Sequence, residues 1–126
     1  MIKQLPPDVI HAWTDREGPV VLATVDSSGM PNAIYASIVN RMADGRLAVA
    51  DNYFDKTAAN IRKGSKAGIL FITKSSKSYQ VKGSIEYCTE GPLYDEMLSW
   101  ADARHPRKGV AILNTGEIYS GKERIA

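Results

Sequence analysis

Apolar residues along this chain fall into two kinds of run, and the change of period between them predicts the elements. Residues 19–25, Pro-Val-Val-Leu-Ala-Thr-Val, are nearly continuously apolar and rich in β-branched side chains, the pattern of a buried strand. Residues 32–42 read as a second strand, after a turn by composition at Asp26-Ser-Ser-Gly29. Asp44-Gly45 is a strong hairpin signal and leads into a short strand over 46–50. Residues 67–73 form another apolar strand. Residues 79–89 partly alternate, with Tyr79, Val81, Gly83, Ile85 and Tyr87 on one face and a polar set on the other. Residues 109–120 supply the last strand. Between these runs the period lengthens three times. Residues 6–18 place Val9, Ile10 and Trp13 on one helical face, residues 55–63 open at Asp55 and stop at Gly64, and residues 93–103 place Leu93, Met97, Trp100 and Ala101 together.

Six strands joined mainly by hairpin-type connections, with about three short helices outside them, predict a mainly β fold: a small antiparallel barrel with flanking helices. Composition changes this picture little. The 126 residues, 44% hydrophobic and 24% charged, suit one globular domain with a real core and exclude disorder of the whole. Sixteen basic against fourteen acidic residues leave +2, too little to argue for nucleic acid by bulk charge. The apolar runs are too short for a membrane span, and residues 1–7 lack a signal peptide's apolar stretch, so a soluble cytoplasmic protein is the expectation. Cys88 has no cysteine to pair with, and no Cys/His spacing suits zinc, so no metal is expected. A buried structural thiol and a reactive one both remain open for Cys88.

Candidate chemistry is sparse. The chain has no nucleophile elbow, no Walker-type loop and no dinucleotide Gly-x-Gly-x-x-Gly. Nothing in the spacing of the carboxylates Glu86, Glu90, Asp95 and Glu96 marks a catalytic pair, and by the usual exposure of such residues they are expected on a solvated surface. Residues 50–60 say more, because a strand end runs into a loop and then into a helix opening with Lys56 and Thr57. A lysine, a hydroxyl and free backbone N–H groups at a helix start suit a phosphate ester, with Asn60 one turn on. The same residues also suit an ordinary solvated first turn, and Asp55 could be the counter-charge. Small side chains in residues 32–37 would let a planar ligand approach the backbone, or would simply fill a tight barrel.

These pieces together resemble the FMN-binding split-barrel family related to pyridoxamine 5'-phosphate oxidase, in its short single-domain form. The resemblance runs from about Val20 to Ser120. It is carried in order by Val21–Val25 with Gly29–Asn32, by Leu47–Asn52, by Lys56-Thr57 with Asn60-Ile61, by Tyr79–Gly83 and by Glu117–Tyr119. It implies one domain over 1–126, a six-stranded antiparallel split barrel that forms a homodimer with FMN at the subunit interface. Carried over by position, Lys56 and Thr57 would hold the phosphate with Asn60 nearby. Ile34, Tyr35, Ala36 and Ser37 would lie along the isoalloxazine, partly through backbone groups. Asp51 and Asn52 would meet the ribityl chain, Gln80 would come from an adjacent strand, and Trp100 would close the ring's far side from the partner.

The implied function is that of a small FMN-dependent oxidoreductase or electron carrier, with no catalytic side chain identified. The alternatives are a barrel binding haem or a deazaflavin, and a flavin-binding dimer without turnover. The chain departs from the full oxidase in having no recognisable second anion site for a vitamin phosphate. Its only other basic cluster, Arg104, His105, Arg107 and Lys108, is read either as a solvated loop or as a contact for an anionic ligand.

Overall fold

A computed structural model describes residues 2–126. In chain order the elements are α1 (Pro7–Thr14), β1 (Val20–Val25), β2 (Pro31–Ala36), β3 (Val39–Arg41), β4 (Leu47–Asp51), α2 (Lys56–Arg62), β5 (Ala67–Ile72), β6 (Ser78–Cys88), α3 (Pro92–Trp100), β7 (Gly109–Ser120) and β8 (Glu123–Arg124). All eight strands belong to one antiparallel sheet, ordered β2-β1-β5-β6-β7-β4-β3 with β8 beside β7. The fold is therefore mainly β, as expected, with eight strands in place of six. The expected strand over 32–42 breaks because its two halves have different partners, β2 on β1 and β3 on β4.

That break shapes the molecule. β2 and β3 are the two edges of the sheet, yet only Ser37 and Ile38 lie between them. A three-step link spans at most about 11 Å, so the sheet must curl until its edges nearly meet at one end. The result is a barrel left open between β2 and the β3–β4 side, and β2 keeps one edge without a strand partner.

Alternation along the strands separates inside from outside. Val20 and Leu22 of β1, Ile69 and Phe71 of β5, and Leu47 and Val49 of β4 face a common interior. The Trp13 ring of α1 meets Phe71 edge-on there, with centroids 5.2 Å apart. On the outside the two halves differ. α3 lays Met97 on the outer side chains of β4 and β7, Ala48, Ala50, Val110 and Ile112. The register row Tyr35, Val21, Leu70 and Gln80 runs across β2, β1, β5 and β6 on the other half, with no helix over it.

The helices are shorter than their sequence patterns, since each pattern includes capping residues that are not themselves helical. Gly64, at φ +86°, ends α2 as expected. Asp55 precedes α2, but its side chain makes no capping hydrogen bond. Among the described residues no helix is long and apolar enough to cross a membrane.

Candidate functional site

The split in the barrel produces a groove of about 290 Å³. One wall is the free edge of β2 and the residues after it, Ile34 to Ile38; the other is Asn52, Tyr53 and Phe54, with His105. An edge strand presents N–H and C=O groups that no other strand takes up. The groove therefore offers alternating donors and acceptors along one side and apolar surface from Ile34, Ile38 and Phe54. Tyr35 and Tyr53 stand at its mouth, 79% and 71% exposed.

The loop following β4 is fixed by hydrogen bonds from far along the chain. The carboxylate of Asp51, 2% exposed, accepts the Phe54 N–H at 2.9 Å and the Tyr87 hydroxyl. Burial first, then the Asp51 carboxylate, push the Tyr87 phenol well above its ordinary pKa. Gly109 pairs with Asp51 across the sheet, and a Cβ there would lie 2.6 Å from the Tyr87 ring, so only glycine leaves room for that hydroxyl to arrive. The Asn52 amide oxygen accepts the Arg107 N–H at 3.0 Å. That bond fixes the Asn52 amide, whose NH2 donors remain for the groove it lines.

α2 sits beside this loop, and its polar residues divide. Lys56 is exposed and, among the described residues, has no ion-pair partner. Thr57 is 1% exposed and accepts a 3.1 Å hydrogen bond from Asn32 of β2. Asn60 is buried and donates to Thr24 of β1 at 3.0 Å. Thr57 and Asn60 therefore dock the helix on the inner ends of β1 and β2, while Lys56 stays free.

Of the residues singled out from the sequence, the groove gathers Ile34, Tyr35, Ala36, Ser37 and Asn52. Asp51 lies directly behind it, with its carboxylate committed to internal partners. Gln80 is elsewhere. It lines a larger hollow of about 600 Å³ on the bare outer half of the sheet, with Lys66, Gly68, Lys82 and Glu117. Trp100 belongs to neither cavity within one protomer; it packs in the α3 layer, and its indole N–H is buried without an acceptor. Tyr53, Phe54 and His105 were not singled out as groove residues. The basic cluster containing His105 was visible in the sequence. The hydrogen bond bringing it to Asn52 spans more than fifty residues and leaves no local pattern.

Comparison with known proteins agrees with this architecture. The family model described as pyridoxamine 5'-phosphate oxidase matches residues 6–120. An uncharacterised protein of Methanocaldococcus jannaschii, MJ0282, is 32% identical over 108 residues, covering 82% of this chain and 72% of that protein. Among solved structures, HupZ of Group A Streptococcus superposes with a TM-score of 0.80 at 24% identity, covering 96% of this chain and 97% of that one. An FMN-binding protein from Syntrophomonas wolfei gives a TM-score of 0.75 at 20% identity, covering 89% and 82%. With matched residues spanning nearly every element of the barrel, the chain belongs to the pyridoxamine 5'-phosphate oxidase family.

Proposed function

We propose that this protein binds FMN in the groove along β2 and works as a small flavin-dependent oxidoreductase or electron carrier. The observation that carries the reading is the free edge of β2 facing Asn52–Phe54, with an unpaired lysine at the start of the neighbouring helix. The donor set fits a flavin. A strand edge offers alternating partners to the polar rim of a heteroaromatic ring, apolar walls suit its faces, and Lys56 supplies a cation for a phosphate. Family membership and the likeness to an FMN-binding protein support the same choice.

Ile34 to Ser37 would line the ring and Asn52 would offer its amide donors. Lys56 would meet the phosphate, with Thr57 and Asn60 holding the helix in place behind it. When bound, the ring would supply hydride or electron transfer, and the protein would supply position and surroundings. The bare outer half of the sheet would receive a second copy, since Leu70 and Ile72 stand 41% and 43% exposed beside small Ala23 and Gly68. Gln80 on that face, and Trp100 beyond it, would then contribute across the dimer.

The test is an absorption spectrum of purified protein, before and after loading with FMN and desalting. Two retained visible flavin bands are expected. Lys56→Ala should weaken FMN binding roughly tenfold or more, the scale of one hydrogen bond to a charged group. A protein that stays colourless after loading, or that shows a Soret band instead, would overturn the reading.

A further inference from the structure

The wall opposite β2 carries an imidazole that the reading above leaves without a task. Four basic residues lie in the loop between α3 and β7, and three of them are turned away or neutralised. Arg104 pairs with Asp102 at 2.5 Å. The Arg107 guanidinium turns back to the Leu98 carbonyl at 3.4 Å, and Lys108 is exposed outside the groove lining. His105 alone of the four lines the groove. Its ring meets Tyr53 edge-on at 88°, with centroids 6.0 Å apart and the Tyr53 hydroxyl 3.5 Å from Nδ1. In the tautomer that accepts the Tyr53 O–H at Nδ1, the imidazole carries its proton on Nε2 and keeps one N–H donor to spend.

The loop is held in a form that it would not adopt alone. Arg107 has φ +48°, the left-handed region that side chains other than glycine's disfavour. Both of its backbone polar groups are gripped, the N–H by Asn52 Oδ1 at 3.0 Å and the C=O by the Tyr94 hydroxyl at 2.8 Å. The next N–H, of Lys108, donates to the Asp51 carbonyl at 2.8 Å. Three separate partners thus hold this left-handed residue beside the groove, which motivates asking what the loop positions there.

We propose that His105 donates a hydrogen bond to the molecule in the groove and binds its electron-rich, reduced form more tightly than its oxidised form. The Asn52–Arg107–Tyr94 clamp is then the positioning device that keeps the imidazole there. This rests on the flavin reading, in which a planar ring occupies the groove. The rim of that ring gains electron density on reduction, so a fixed donor against it strengthens in the reduced state. The specificity is for redox state, and it requires no proton transfer to or from the histidine.

The experiment measures FMN dissociation constants in the oxidised state and midpoint potentials against a reference dye, for the natural protein, His105→Ala and His105→Gln. The alanine variant should lose about tenfold more affinity for reduced than for oxidised FMN, which lowers a two-electron potential by about 30 mV. The glutamine variant, keeping an N–H donor, should recover more than half of that difference. Equal losses in both states, or a glutamine variant no better than alanine, would overturn the donor role. Tyr94→Phe, which releases the Arg107 carbonyl, should move the potential in the same direction; an unmoved potential would overturn the clamp. A natural protein that takes up no FMN would defeat the site reading itself, and that result appears before any variant is made.

Discussion

The outer surface of the sheet has two halves built from the same kind of strand, and they meet different fates. On β4 and β7, α3 covers Ala48, Ala50, Val110 and Ile112, and β4 is buried on both faces along its whole length. On β2, β1, β5 and β6, the corresponding outward row of Tyr35, Val21, Leu70 and Gln80 has no cover within the chain. Both rows are largely apolar, so hydrophobic content does not distinguish them. What does is whether the connecting chain supplies a helix on that side. The α3 segment joins β6 to β7 and lies over β7 and its neighbour β4. The bare half has no helix over it within the chain, and the groove along β2 borders it.

The difference can be broken from either side. The largest effect is expected at Met97, fully buried between α3 and the sheet. Met97→Ala should cost about 2–5 kcal/mol in a urea unfolding titration, the range for emptying a packed site. A smaller loss would mean that α3 merely rests on the strands. Tyr94→Phe removes the hydroxyl that holds the Arg107 carbonyl from the same helix. It should cost about 0.5–1.5 kcal/mol and weaken FMN binding through the loop. Unchanged binding would separate α3 from the groove.

On the bare half, Leu70→Lys should change unfolding free energy of the monomer by no more than about 0.5 kcal/mol. In sedimentation equilibrium it should shift a dimer to monomer. A variant that keeps its dimer would place the interface elsewhere.

The mildest effect is an alkaline one at the Tyr87–Asp51 contact, on the inner face that both halves share. Burial and the Asp51 carboxylate raise the folded-state pKa of Tyr87 above its unfolded value. The unfolded chain therefore gives up its proton first. This contribution to stability should be whole below about pH 10 and be lost as pH rises through the folded-state value. Comparing unfolding midpoints of the natural protein and Tyr87→Phe above that pH should show the steeper decline in the natural protein. Parallel declines would remove the Asp51 contact from the account.

Local patterns made much of this legible. The β-branched run over residues 20–25 and the alternation from Tyr79 gave strands where strands exist, and Gly64 ended α2 as its φ requires. The Asp26 turn is likewise self-contained, since the Asp26 carboxylate accepts from the backbone N–H groups of Ser28 and Met30, each at 2.9 Å. The groove was legible in part. Ile34 to Ser37 and Asn52 could be picked out, whereas the burial of Thr57 and Asn60 could not. Their polar side chains suit a surface equally well, and only the arrival of Asn32 and Thr24 against the helix makes them internal.

The sequence by itself determined the strands, the helices, the antiparallel class and the resemblance to a split barrel, because these depend on side-chain period and on turn chemistry between neighbours. The tertiary structure alone decided where the barrel stays open, which outer half α3 covers, and that His105 stands across the groove from β2. Those outcomes depend on hydrogen bonds and packing between residues dozens of positions apart, such as Asn52 with Arg107 and Asp51 with Tyr87. Contacts of that reach impose no period on the chain, and they exist only once the sheet has curled.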